Sequence, residues 1–284
     1  MLPLLFFLLI VIGGIAAGVI GSLTGLGGAV ILTPVLVLGF GIPIYYAAGA
    51  SLIASIATSS GAASAYVKDK ITNIKIGMSL EIGTTVGAII GVLVASILYK
   101  ANELSIIFVV FGVVLLFSIY PSLKKILKPK VKRIKADKTT KFFQLSGSYY
   151  DEKLKKNIRY HGIRWWYSEI IMFFAGIISG LLGVGSGALK VLSLDDVMNL
   201  PPKVSAATSD FMIGVTAATG TAIYWELGYI QPFMAGAAAV GVLCGSYFGS
   251  RFLNREGNDF IRKLFLFVII ILGVQMLLRG IGLF

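Results

Sequence analysis

The chain carries one glycine-broken apolar segment twice. Residues 18–28 read Gly18-Val-Ile-Gly-Ser-Leu-Thr24-Gly25-Leu-Gly27-Gly28, and residues 176–187 read Gly176-Ile-Ile-Ser-Gly-Leu-Leu-Gly183-Val-Gly185-Ser186-Gly187, with Gly183 lying 158 positions after Gly25. The interval returns downstream, where Gly83, Gly87 and Gly91 are matched by Gly241, Gly245 and Gly249. Such a repeat constrains the fold strongly, because whatever one copy forms the other must be able to form. In apolar surroundings a broken helix survives only where protein or a polar cavity satisfies its freed N–H and C=O groups. Paired broken helices in two related halves are a common way for carriers to build a binding site.

The surroundings are those of a membrane. Hydrophobic residues make up 57% of the chain and the mean hydropathy is +0.89, which excludes an ordinary soluble domain. Apolar runs recur at the length needed to cross a bilayer, and the roughly ten-residue alternation of a membrane barrel is absent. The fold class expected is an all-α polytopic membrane protein of two inverted repeats. Apolar segments fall near 2–22, 26–40, 44–67, 73–99 and 103–119, then near 167–183, 186–200, 204–225, 229–252 and 260–282. Segments 26–40 and 186–200 are short and follow the glycine clusters. Each reads as a tilted span or a re-entrant half-helix, leaving ten crossings or eight. The first segment lacks a basic leader and contains the start of the repeat, so it reads as a retained span.

Charge favours ten. Three regions are expected: membrane repeat 1 (1–119), a polar loop (120–166) and membrane repeat 2 (167–284). The loop holds fourteen of the 25 Lys and Arg against three acids, which places it in the cytoplasm. In repeat 1 the first turn after the small-polar segment is basic (Lys68, Lys70, Lys75) and the next carries only Lys100. In repeat 2 the first turn has Glu226 and no base, and the next has Arg251, Arg255, Arg262 and Lys263. An odd number of crossings per repeat produces that exchange. The expectation is therefore an inverted 5+5 arrangement in the cytoplasmic membrane, both termini outside. The net charge of +12 sits mostly in the loop and reads as a topology anchor facing anionic lipid, not as a nucleic-acid surface. A hairpin is expected around Ser146-Gly147, and Trp165, Trp166 and Tyr167 mark an interface belt.

Candidate binding residues cluster around the repeats. A helix starting after Gly28 or Gly187 would aim free N–H groups at a cavity, a setting that binds anions; the same glycines also permit tight packing. The GxxxGxxxG runs read as packing faces. Small-polar stretches (Ser51, Ser55, Thr58 and Thr208, Ser209, Thr216) align here with an offset of 159, placing Ser51 over Asp210, Gly61 over Gly220 and Tyr66 over Trp225. Their hydroxyls could hold an ion or bond their own i−4 carbonyls. Lys190, Asp210 and Glu81 are ionisable residues inside apolar segments, which makes each a functional candidate. Lys190 could hold an anion directly or pair with Asp210. Glu81 reads as snorkelling to the interface, and Asp195, Asp196 and Lys203 as marking a surface segment end. The lone Cys244 and the loop residue His161 leave no cofactor or metal ligand set, and no nucleotide-binding loop is present, so no enzymatic role is expected.

Gly25-Leu-Gly27-Gly28, Gly183-Val-Gly185-Ser186-Gly187, Thr33-Pro34 and the Ala-Ser-Leu and Ala-Thr-Ser elements together resemble the TauE/SafE sulfite exporter family over nearly the whole chain. Ala29 and Ser186 depart from its glycine pattern, and Lys190 and Leu192 stand where a second Thr-Pro pair would fall. The resemblance implies a secondary carrier for a small sulfur-containing anion such as sulfite, sulfoacetate or another organosulfonate; a small-anion channel is the alternative. The expected substrate-binding residues are Thr24, Gly25, Gly27, Gly28, Ser51, Gly183, Gly185, Ser186, Gly187, Lys190, Thr208, Ser209 and Asp210. Expected partners are a small anionic substrate, the lipid bilayer, a coupling proton or sodium ion and a second copy in a homodimer, with no nucleic acid.

Overall fold

The computed structural model describes residues 2–117, 119, 136–253 and 258–282. Residues 120–135, which hold half of the Lys and Arg of the basic loop, and Arg255 lie outside the described residues. The first half contains α1 (Leu2–Thr24), α2 (Gly28–Pro34, continued by a π-helical turn Val35–Gly39), α3 (Ile44–Lys68), α4 (Ile74–Lys100) and α5 (Leu104–Phe117). After the connecting segment, with α6 (Lys138–Phe142), β1 (Ser146–Asp151) and β2 (Lys156–His161), the order returns. It runs α7 (Trp165–Leu182), α8 (Gly187–Leu192, continued by a π-helical turn Ser193–Val197), α9 (Pro202–Glu226), α10 (Pro232–Leu253) and α11 (Asn258–Gly280). Among the described residues, α1, α4, α7 and α10 are long and apolar enough to cross a membrane. Helices α3 and α9 have 25 residues each, but buried hydroxyls dilute their apolar character.

The copies agree in small details. Gly25 and Gly183, Gly27 and Gly185, Gly41 and Asn199, and Lys70 and Gly228 all take positive φ, at one offset of 158. Leu36 accepts from the Ile42 amide at 3.1 Å and Leu194 from the Leu200 amide at 3.0 Å. The Tyr66 hydroxyl donates to the Ser22 carbonyl at 2.7 Å and the Tyr224 hydroxyl to the Gly180 carbonyl at 3.2 Å. These pairs correct the alignment of the small-polar stretches. The offset stays 158, so Ser51 lies over Ser209, Asp210 over Leu52, and Tyr66 over Tyr224. Both π turns form at matching places, although Pro34 precedes one and Leu192 the other. The wide turn therefore does not depend on proline's missing N–H.

Helix α2 with its π turn spans twelve residues, about 18 Å at 1.5 Å per residue, too short to cross alone. The segment as a whole returns along α1: a side chain at Gly21 would meet the Gly28 backbone, and Phe40 packs edge-on against Phe6 at 5.4 Å.

The halves interleave. Helix α1 packs chiefly on α10 and α4 on α7, while α3 meets α9 and α5 meets α11. The GxxxGxxxG faces make the close approaches. A Cβ at Gly87 would strike the Phe173 carbonyl and one at Gly91 the Ile177 carbonyl; in the mirror pair, Gly241 meets Val11 and Gly245 meets Ile15. Small residues at four-residue spacing let the backbones touch, as expected.

The connecting segment differs from expectation. The strands pair antiparallel from Ser146↔His161 to Asp151↔Lys156, so the hairpin turns at Glu152–Lys155, and Ser146-Gly147 begins its first strand. Trp165 is buried, while Trp166 and Tyr167 are exposed.

Candidate functional site

The two glycine breaks meet. Gly187 lies against the Leu26 backbone, and Gly27 and Gly185 both lie against Ile213 of α9. The Ser209 hydroxyl donates to the Gly25 carbonyl at 2.7 Å and lies 3.5 Å from the Gly187 carbonyl. Gly25 packs on Ala206 and Gly183 on Ala48, again a pair related by 158. Left-handed backbone at these glycines lets the chain reverse without a side chain between the walls. The Gly28 amide opens α2 and donates to the Thr58 hydroxyl at 3.1 Å. Ser186 opens α8 with φ 50°; its hydroxyl has no hydrogen-bond partner and edges an apolar crevice between Val30 and Phe111.

One turn into α8, Lys190 is fully buried. Its ammonium donates to the Thr216 hydroxyl of α9 at 2.5 Å and lies 3.9 Å from the Glu81 carboxylate of α4. Thr216 in turn donates to Glu81. Lys190 thus pairs with Glu81, not with Asp210. Glu81 is buried and turned inward; it does not snorkel, because Lys190 and Thr216 provide a partnered polar pocket within reach. Nearby, Glu169 of α7 accepts from the Gly83 amide at 2.9 Å. Asp210 is also fully buried. It faces the Gly27 amide, yet neither carboxylate oxygen reaches hydrogen-bonding geometry.

The remaining predicted residues divide. Ser51 accepts from Thr33 at 2.8 Å within its own half. Thr24 donates to the Ile20 carbonyl at 2.8 Å. Thr208 accepts from the Asn73 amide at 3.1 Å, which ties it to the α3–α4 turn and away from the breaks. In the sequence Thr58 and Thr216 are members of hydroxyl stretches, with nothing nearby to set them apart. Their shared 158 offset was the signal that distinguishes them.

The ends of the bundle are closed by different chemistry. At one end Lys203 is fully buried and bridges Asp151 of the hairpin at 3.1 Å, and Asp195 is buried as well. Neither marks a surface end: both are buried, and the hairpin supplies the partner of Lys203. Burial pushes the Asp151 carboxyl up, but the Leu154 amide and the Lys203 ammonium outweigh it and hold it below the usual aspartate range. Tyr160 accepts from Asn73 at 3.1 Å. At the other end Tyr99 contacts Tyr45 and Tyr229 through ring edges, and its hydroxyl meets that of Tyr224 at 3.1 Å.

Known proteins resemble this chain over most of its length. The family model described as Sulfite exporter TauE/SafE matches residues 10–276. The chain is 30% identical to the probable membrane transporter protein YunE of Bacillus subtilis, over 97% of this chain and 98% of that protein. It is 26% identical to the probable membrane transporter protein YdhB of the same organism, over 87% and 90% respectively. No solved structure matches.

Proposed function

Because the chain belongs to the sulfite exporter TauE/SafE family of membrane transporters, we propose that it is a secondary carrier moving a small sulfur-containing anion, such as sulfite, sulfoacetate or another organosulfonate, across the cytoplasmic membrane by alternating access. The observation that carries the reading is a fully buried lysine, Lys190, one turn from the point where two glycine breaks meet. A buried cation beside the starts of two short helices suits an oxyanion. The Lys190–Glu81 pair is loose at 3.9 Å, so an entering anion can compete for the ammonium.

The inverted arrangement is part of this proposal. Phe7 at the start of α1 packs against Phe233 at the start of α10, whereas Trp165 at the start of α7 bonds Ser79 near the start of α4. Copies that begin at opposite ends of the bundle would account for these two contacts, for the exchange of basic turns and for a cytoplasmic loop 120–166. Burial of Lys190, Ser209 and Asp210, with closures at both ends, favours a carrier over an open channel. The halves would rock about the breaks to expose the site alternately.

The test is thermal unfolding of the purified chain with sulfite, sulfate, thiosulfate, sulfoacetate, taurine, acetate and chloride. A ligand at about 100 times its Kd stabilises the folded state by about 2.7 kcal/mol. Selective stabilisation by sulfur oxyanions, lost when Lys190→Leu and Glu81→Ala are combined, is expected. Indifference to every anion would overturn the reading.

A further inference from the structure

We infer that Asp210 is a proton-binding site linked to the anion site, so that the anion enters together with a proton; this rests on the anion reading above. Asp210 is fully buried in α9, and both carboxylate oxygens lack a hydrogen-bond partner. An ionised carboxylate in that setting is far more costly than a neutral acid. The fold does not require an acid there: Leu52, equally buried, fills the matching place in the other copy.

Among the described residues, no cation bonds the carboxylate. On the elements packed against α9, Lys190 of α8 and Glu81 of α4 are engaged with each other and with Thr216. Glu169 of α7 holds the Gly83 amide, and Lys203 on α9 itself holds Asp151. Tyr66 of α3 faces Asp210 but donates its hydroxyl proton to the Ser22 carbonyl. From the break between α1 and α2, the group facing Asp210 is the Gly27 amide.

That amide belongs to the glycine break that opens α2. An ionised Asp210 and a bound anion would compete for it and repel each other, whereas a protonated Asp210 leaves it to the anion. The loaded site therefore holds one anion and one proton. When the site opens to water, the Asp210 O–H bond breaks, the proton passes to water, and the carboxylate left behind expels the anion to the same side.

Infrared difference spectra of the full chain in liposomes, wild type minus Asp210→Asn, test the proton directly. The expected result is the C=O stretch of a protonated carboxyl at neutral pH in the wild type. Its absence, or its appearance only when sodium is withheld, would overturn the assignment. Thermal-shift affinities for the same anion panel across pH test the linkage. Above the titration of Asp210, affinity should weaken about tenfold per pH unit in the wild type and stay flat in Asp210→Asn. An unchanged slope in the variant overturns the linkage. If no anion binds at any pH, the anion reading falls and the linkage with it, while the infrared band still decides whether Asp210 carries a proton. Asp210→Leu, which installs the residue of the other copy, serves if the asparagine variant does not fold.

Discussion

Where the second copy places Lys190, Thr216 and, from the opposite half, Glu81, the first copy places Leu32, Thr58 and Ala239. The backbone is the same: matching glycines, matching π turns and matching tyrosine hydrogen bonds. In the first copy Thr58 serves the helix start by accepting from the Gly28 amide. In the second, Thr216 is taken up by an ammonium and a carboxylate. The charges are thus an addition to a frame that stands without them. Placing a charge inside a membrane protein is costly unless it is paired, so a pair present in one copy alone points to use, not support.

The largest effect expected from breaking this difference is Lys190→Leu alone, which strands Glu81 in a buried site. Loss of one partner of a buried pair costs about 3–5 kcal/mol, read as a lowered unfolding midpoint in detergent. Adding Glu81→Ala, so that the site carries the residues of the first copy, should recover most of that stability while transport stays lost. Equal stability of the single and double variants would mean that the pair is not held as described.

Next, Gly87→Val and Gly245→Val should destabilise alike. Each pushes a side chain into a helix carbonyl, of Phe173 or of Ile15, and overpacking of this kind costs about 1–3 kcal/mol. A large inequality would show that the packing faces are not equivalent. Smaller still, Tyr66→Phe and Tyr224→Phe each remove a hydroxyl-to-carbonyl bond, a loss of about 0.5–1.5 kcal/mol. Tyr224→Phe should be the costlier, since Tyr224 also meets Tyr99.

The smallest contrast concerns the two ends. Asp151 is held below its ordinary value, so its contribution is present above about pH 4 and fades as the pH falls through the depressed value. Melting curves on the acid side should show that limb reduced in Asp151→Asn. The tyrosine cluster at the other end has no acid in it, and Tyr45→Phe should leave the limb unchanged.

Much of this was legible in residue order. The segment limits agree with the helices to within a few residues, because long apolar runs bounded by Asn73, Pro202 or Gly183 leave little freedom. Gly61 over Gly220 suggests an offset of 159 in the sequence, whereas the hydrogen bonds that align Tyr66 with Tyr224 exist only in the fold. Lys190 stood out as a buried charge, but its partner did not: Glu81 lies more than a hundred positions away, on a helix of the other half.

Sequence by itself determined that the chain enters the membrane, that it is built twice, and where its helices break. These are local properties, set by apolar length, glycine spacing and charge along the chain. Tertiary structure alone decided which charges meet, that Asp210 is left without a hydrogen-bond partner, and that the hairpin buries Lys203 against Asp151. Those outcomes depend on how the two halves interleave. A pairing between distant segments is settled by packing and desolvation, which no single stretch of sequence encodes.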